Sequence, residues 1–283
     1  MKRILMTGST GFIGQNVLPI LQNKQFDIYA PTRAELNLKS ESEVVRCLKD
    51  GKFDTVLHLA NPTPGKNSLD SASTMTDDSL RIFLNLYNHS DLYGKMIYSG
   101  SGAEFDKSQD IDMITEPECF RSVPKDSYGL AKMAMNHMAL QSSNIYNFRI
   151  FGCYGPGDHE SKFITHCIRS VLSGVPITIR KDCYFDYLHV LDLARFLEWG
   201  IESHMKMHDY NVTTGRPILL SEIARLVVDR MGADNPVQLL SEERNLTYTA
   251  DNTRVLRESG LELLYPIEKG VEMQIQWEKE NYK

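Results

Sequence analysis

The sequence predicts an α/β chain: a doubly wound parallel sheet with a smaller, mostly C-terminal lobe. Three observations carry that reading. The run Arg3-Ile4-Leu5-Met6-Thr7 passes through Gly8-Ser9-Thr10-Gly11-Phe12-Ile13-Gly14 into an amphipathic segment with Val17, Leu18, Ile20 and Leu21. That order is a buried parallel strand, a glycine turn and a helix. Short apolar runs then alternate with helical patterns along the chain, as parallel sheets with crossover helices require. Finally, 283 residues suffice for one large core and a cap.

Each element follows from its residues. The first turn is a phosphate corner: Gly8 permits the tight bend, Gly11 lets backbone approach a pyrophosphate, and Gly14 lets the helix pack on the strand. Thr10, Phe12 and Ile13 share this turn and count with the glycines as cofactor-binding candidates. Residues 26–30 read as the second strand, followed by Thr32-Arg33-Ala34-Glu35-Leu36-Asn37-Leu38. In a dinucleotide fold a carboxylate at this strand end meets the 2′-hydroxyl of NAD, and an arginine pairs with the 2′-phosphate of NADP. No acid stands at the strand end and Arg33 follows it, so NADP is expected, with NAD still possible. Asn37 and Leu38 are placed toward the adenine.

Residues 43–48 give a helix face and 55–60 a third strand ending in Leu59 and Ala60, small enough at its tip for backbone to pass close to a cofactor. Asn61-Pro62-Thr63-Pro64-Gly65 reads as a loop over the site. His58, inside this apolar strand, reads as a hydrogen-bonded core histidine. A helix over 78–86 and a strand over 95–103 follow. In Asp126-Ser127-Tyr128-Gly129-Leu130-Ala131-Lys132, Asp126 or Ser127 caps a helix that sets Tyr128 and Lys132 at i and i+4 on one face. An ammonium beside a phenol favours the phenolate, so a lowered tyrosine pKa is expected. A strand over 146–151 leads to Gly152-Cys153-Tyr154-Gly155-Pro156-Gly157. A helix over 163–172, a turn at Gly174-Val175-Pro176, a return strand and helix from Tyr187 through Trp199, and helices over 221–231 and 263–279 complete the chain. The division expected is a dinucleotide-binding Rossmann-type domain over 1–154, rejoined by 182–203, and a substrate-binding lobe over 155–181 and 204–283.

The formal charge of −6, from 31 Lys and Arg against 37 Asp and Glu, provides no basic field for nucleic acid. No apolar stretch is long enough to span a bilayer and no leader pattern is present, so a cytoplasmic protein is expected. Cys47, Cys119, Cys153, Cys167 and Cys183 are odd in number and form no Cys-x-x-Cys pair. They read as reduced packing residues, with no metal site.

With the glycine turn, Ser101 and Tyr128-x-x-x-Lys132 in place, the chain resembles the extended short-chain dehydrogenases that act on nucleotide sugars (the NAD-dependent epimerase/dehydratase family). Arg149, Tyr154-Gly155-Pro156-Gly157, Phe185-Asp186-Tyr187-Leu188-His189-Val190 and Glu268-Lys269-Gly270-Val271 with Trp277 extend the resemblance along the whole length. It implies Tyr128 as acid or base, Lys132 as the holder of the nicotinamide ribose, and Ser101 as a hydrogen-bond partner of the reacting oxygen. Such a site needs a proton donor in place where hydride creates an alkoxide.

Dehydratases of the family carry Asp and Glu where this chain has Gly102 and Ala103, so dehydration is disfavoured. The run from Thr32 to Leu38 resembles that of GDP-fucose synthases and, more loosely, dTDP-4-dehydrorhamnose reductases. GDP-fucose synthases epimerise with a cysteine and a histidine, where this chain has Ala103 and, nearby, Lys162. Phe185 stands where relatives often carry an arginine for the diphosphate. Ser101, Gly102, Ala103, Tyr128, Lys162, Phe163 and Phe185 are thus the implied substrate contacts. The expectation is an NADPH-dependent reductase of a nucleotide-linked 4-keto-6-deoxysugar in polysaccharide precursor synthesis, with an NAD-dependent 4-epimerase or a non-catalytic NADP-sensing protein as rivals. Relatives pair through the helices carrying Tyr128 and residues 78–87, so Leu80, Phe83, Leu84, Met133, Met138 and Leu140 imply a homodimer.

Overall fold

In the computed structural model, which describes residues 1–62 and 74–282, strands and helices alternate from the N-terminus: β1 (Lys2–Thr7), α1 (Phe12–Gln22), β2 (Phe26–Tyr29), α2 (Glu41–Gly51), β3 (Thr55–His58), α3 (Met75–Tyr87) and β4 (Lys95–Ser101). There follow β5 (Ile111–Ile114), α4 (Ser127–Leu140), β6 (Ile145–Ile150), β7 (Gly152–Tyr154), α5 (Phe163–Leu172), β8 (Ile177–Ile179), β9 (Tyr184–Phe185), β10 (Tyr187–His189) and α6 (Val190–Glu202). The chain ends with β11 (Asp209–Val212), β12 (Ile218–Leu219), α7 (Leu220–Met231), β13 (Val237–Leu239), β14 (Tyr248–Ala250), α8 (Thr253–Ser259) and α9 (Ile267–Asn281). The expected loop residues Thr63, Pro64 and Gly65 lie outside the described residues.

The chain forms two compact units. The first comprises Met1–Asp106, Glu116–Ile150 and Leu197–Tyr210; the second comprises Lys107–Thr115, Phe151–Phe196 and the chain from Asn211 onward. The first unit carries the main sheet, ordered β11-β6-β4-β3-β1-β2, and its pairs β1–β2, β1–β3, β3–β4 and β4–β6 are parallel. The order reverses at β1, with β2 on one side and β3 on the other, which creates a crevice at the strand ends.

One face of this sheet is covered by a cluster with Leu5, Val44, Leu48, Phe53, Val56, Phe83, Leu86, Met96, Tyr98 and Met135. α2 supplies Val44 and Leu48 at helical spacing. The helix starts where Ser40 Oγ accepts the Glu43 amide at 3.4 Å, and Glu41 and Glu43 in the first turn with Lys49 in the last suit its dipole. Phe83, expected at a subunit contact, is instead fully buried, its ring 5.1 Å from that of Tyr98. Its side of α3 faces the sheet, so it belongs to the core.

The second unit is built on α5, α7 and α9, which enclose Ile164, Cys167, Ile168, Ile223, Val227, Val271 and Ile275. Its short strands form the sheet β12-β9-β14-β5 and the parallel pairs β7–β10 and β8–β13. Several are three residues or fewer, too short for a period to show in sequence. α9 starts at Ile267 and not at residue 263, because the Leu264 and Tyr265 amides donate to Asp192 and Pro266 occupies the cap position. β3 ends at His58, two residues short of expectation, where the Leu59 amide turns to Thr7 O at 3.1 Å. β4 likewise ends at Ser101, and Gly102–Glu104 form a 3₁₀ turn.

The glycine corner sits at the order reversal. Gly8 has φ +76°, and a Cβ there would lie 2.5 Å from Ala60 N. A Cβ on Gly14 would lie 2.2 Å from Gly8 O, whereas one on Gly11 would lie 3.4 Å from the same atom. The first two glycines are therefore demanded by the chain itself, and the third is not. Gly14→Ala should cost about 1–3 kcal/mol by overpacking against backbone, and Gly11→Ala should stay within about 0.5 kcal/mol of the parent. Denaturant unfolding of the two variants distinguishes the roles, and equal losses would contradict them.

Candidate active site

β1 and β3 end side by side, with Thr7 paired to His58. Beyond them the chain offers an anion site. α1 begins at Gly11 with no side-chain cap and no acid in its first turn, so its first N–H groups stand unclaimed by side chains. Thr10 and Gly11 are exposed, and Phe12 and Ile13 half-buried. These features fit a dinucleotide pyrophosphate: the open glycine has no intramolecular cause, and close approach of a ligand backbone supplies one. Leu59 and Ala60 lie half-buried against Gly8.

After β2 the turn 32–35 is held by Glu35, whose Oε2 accepts both Thr32 N and Thr32 Oγ1 at 2.8 Å. The carboxylate of this turn is thus engaged internally, and Arg33 is exposed beside it. Asn37 is exposed, its Oδ1 accepting the Lys39 amide at 3.1 Å. Leu38 packs on the core cluster, and its carbonyl accepts Asn85 Nδ2 at 2.7 Å.

The structure brings Ser101, Tyr128 and Lys132 together in the first unit. Asp126 caps α4 by accepting the Gly129 amide at 2.8 Å, which starts the helix so that Tyr128 and Lys132 lie one turn apart. Lys132 is buried; its Nζ donates to Ser99 O at 2.9 Å and lies 5.8 Å from the Tyr128 ring centre. Burial pushes the ammonium down to about 8, while Glu104 pulls it back up. Tyr128 departs from expectation. Burial raises the phenol above its ordinary value, Glu104 and Asp126 add to the rise, and a hydrogen bond with Ser101 opposes it. Desolvation of the phenolate outweighs that hydrogen bond, so near neutral pH the tyrosine holds its proton.

Around Ser101 lies a buried polar network, which sequence reasoning missed. Ser101 Oγ accepts the Ala103 amide at 3.2 Å, and Ser101 N donates to Glu104 Oε1 at 2.9 Å. Glu104 Oε2 accepts Arg149 Nε at 2.8 Å and Asn147 Nδ2 at 2.9 Å. Arg149 also donates to Asp209 at 3.1 Å and sets its guanidinium 4.9 Å from the Phe105 ring centre. Asn136 links α4 to Asn147 at 2.9 Å and to Cys119 at 3.5 Å. Gly100 belongs to the design, since a Cβ there would meet Asn147 Oδ1 at 1.8 Å. Burial opposes the charge on Arg149, but Glu104 and Asp209 outweigh it and hold the guanidinium protonated. The available signal was Asn147 and Arg149 within an otherwise apolar, fully buried strand, since a buried cation requires a partner. Gly102 and Ala103, between the two anchors, are buried.

The other proposed contacts lie in the second unit. Lys162 is exposed at the start of α5, and Phe163 packs on that unit's core. Phe185 is half-buried, its ring 4.8 Å from Tyr187 and 4.9 Å from Tyr248. The five cysteines are unpaired, and no cluster of potential metal ligands occurs among the described residues. No described helix is long and apolar enough to cross a membrane.

His58 is a buried core histidine, as its sequence setting suggests: Nδ1 and Thr7 Oγ1 are hydrogen-bonded at 2.8 Å. Burial, with Lys132 adding to it, pushes its pKa down to about 3 from 6.5. The unfolded chain therefore takes up a proton below pH 6.5 while the folded protein does not. Stability from this group is full above pH 6.5 and falls toward pH 3 by about 1.4 kcal/mol per pH unit. Comparing His58→Gln with the parent, the denaturation free energy should lose that share of its slope between pH 6.5 and 4. Identical slopes would refute the assignment.

A family model described as the NAD dependent epimerase/dehydratase family matches residues 4–213. GDP-L-colitose synthase of Yersinia pseudotuberculosis is 22% identical over 255 residues, covering 81% of this chain and 82% of that protein. Among solved structures, the NADP-bound GDP-mannoheptose C4 reductase of Campylobacter jejuni superposes with a TM-score of 0.84 at 18% identity, over 98% of both chains. UDP-glucose 4-epimerase of Thermotoga maritima reaches the same score at 20% identity, over 99% of this chain and 100% of that one. At these identities the structural likeness establishes the fold.

Proposed function

We infer, from this site and from the fact that the chain belongs to the NAD dependent epimerase/dehydratase family, that the protein is an NADPH-dependent reductase of a nucleotide-linked 4-keto-6-deoxysugar. What supports this direction of reaction is the placing of Ser101, Tyr128 and Lys132 together, with burial raising the Tyr128 phenol. A bound dihydronicotinamide would supply hydride to the carbonyl carbon. Tyr128 then gives its proton to the developing alkoxide, Ser101 donates a hydrogen bond to the same oxygen, and Lys132 holds the nicotinamide ribose and the proton balance. Gly102 and Ala103 stand where the family's dehydratases carry their Asp and Glu, so these two positions supply no acid or base for elimination. The similarity to GDP-L-colitose synthase and to an NADP-bound GDP-heptose C4 reductase supports a nucleoside diphosphate sugar as substrate, with Lys162, Phe163 and Phe185 as its further contacts. In this reading the product is a precursor of surface polysaccharide made by a cytoplasmic enzyme.

NADP is favoured over NAD by the exposed Arg33 next to an internally bonded Glu35. The likeness to a UDP-glucose 4-epimerase supports a second reading, internal oxidation and re-reduction without net cofactor use. A screen of NADPH oxidation against enzymatically prepared 4-keto-6-deoxy nucleotide sugars separates the two. Stoichiometric oxidation is expected, and isomerisation without it would establish the epimerase. Tyr128→Phe should lower turnover by about 10²–10⁴ while cofactor still binds. Arg33→Ala should weaken NADPH about ten- to a hundredfold and leave NADH unchanged; equal losses would show that Arg33 does not meet the 2′-phosphate.

A homodimer through α3 and α4 is part of this proposal. Leu130 and Leu140 are exposed, and Leu80, Leu84, Met133 and Met138 half-buried. Light scattering at micromolar concentration should return twice the chain mass, and a monomer would remove the idea.

A further inference from the structure

Glu104 stands among the groups to which the proposed reaction gives no role, yet its two carboxylate oxygens face two different demands. Oε1 accepts the backbone N–H of Ser101 at 2.9 Å, and Oε2 accepts Arg149 Nε at 2.8 Å and Asn147 Nδ2 at 2.9 Å. The residue is fully buried. We propose that Glu104 is a positioning residue that fixes the Ser101 backbone and serves as the buried counter-charge of Lys132, and the inference rests on the reductive role given to those two residues above.

The charges support this. Arg149 binds two carboxylates, Glu104 and Asp209, so the trio keeps one negative charge in excess. Lys132, buried on α4 with its Nζ donating to Ser99 O two residues before Ser101, is the cation on which Glu104 acts. The groups facing this region are His58 from β3, which is neutral; Tyr98 from β4 and Tyr128 from α4, both held as phenols; and the Cys119 thiol, raised to about 12. Burial pushes the Glu104 carboxyl up, Arg149 and the donors from Ser101 and Asn147 oppose that rise, and none of these neighbours competes with it as an anion. Its field acts in one sense on both reacting groups: it favours the ammonium of Lys132 and disfavours the phenolate of Tyr128. Both effects hold the site in the state that donates a proton. Gly100 leaves the space into which this carboxylate and Asn147 converge.

The direct test is a pH titration of Lys132 by ¹³Cε/¹⁵Nζ NMR of lysine-labelled, ligand-free protein, with the signal assigned by Lys132→Met. Glu104→Gln retains an acceptor for Ser101 N and removes the charge. Lys132 should then titrate about one pH unit lower than in the parent, the scale on which one buried charge acts on another. An unmoved titration in the folded variant overturns the proposal. Should Glu104→Gln alone not fold, because it leaves Arg149 underpaired, Asp209→Asn removes the excess negative charge while Glu104 keeps Arg149 paired; Lys132 should again titrate below its parent value, and an unmoved titration there overturns the counter-charge half. Glu104→Asp keeps the charge and shortens the reach to Ser101. It should lower kcat for the keto-sugar at least tenfold with the Lys132 titration retained, and parent-like kcat would overturn the positioning half. The titration needs neither substrate nor cofactor, so an enzyme inactive on every keto-sugar would refute the reaction assigned above and leave this test standing.

Discussion

Arg149 and Glu104 are both buried, and their ion pair at 2.8 Å joins the turn after β4 to the strand β6. Neither charge could remain in such a place alone. The idealised cost of moving an ion of this size out of water is on the order of 20 kcal/mol, and breaking a buried pair typically costs about 3–5 kcal/mol. Further partners therefore surround the pair: Asn147, Asp209, the Ser101 amide and the Phe105 ring. A network so constrained has one good geometry. It fixes where β4 ends and hence where the Ser101 hydroxyl stands.

The glycine corner depends on a different constraint, steric and short in range. Gly8 and Gly14 exist to let backbone meet backbone, Gly8 against Ala60 and Gly14 against Gly8 itself. Gly11 meets nothing so closely, and its openness coincides with an uncapped helix start. Two glycines thus explain the fold at this point and the third explains a ligand. The distinction matters because a glycine-rich turn by itself is compatible with packing alone.

The two constraints meet in the strand order. β1 and β3 bring the corner and His58 together, and β4 beside β3 carries the chain from Lys95 to Ser101. His58 is kept neutral by burial, so it bonds Thr7 without adding a charge. Around Tyr128, burial and the Glu104 carboxylate act against the phenolate more strongly than the Ser101 hydrogen bond acts for it. An i, i+4 spacing alone would suggest the reverse.

The sequence by itself determined the features that depend on neighbours in the chain. Alternating apolar runs and helical faces set the parallel sheet, Asp126 set the start of α4 and so the stacking of Tyr128 over Lys132, and an apolar strand marked His58 as a core residue. Local periodicity and sterics decide these, and both are written in a few consecutive residues. Only the tertiary structure decided that Phe83 faces the core, that residues 263–266 stay outside α9, that short strands of the second unit pair as they do, and that Tyr128 keeps its proton. Arg149 finds Glu104 at a separation of 45 residues and Asp209 at 60. Burial and Coulomb interaction depend on what the fold brings within a few ångströms, and no window of sequence contains that information.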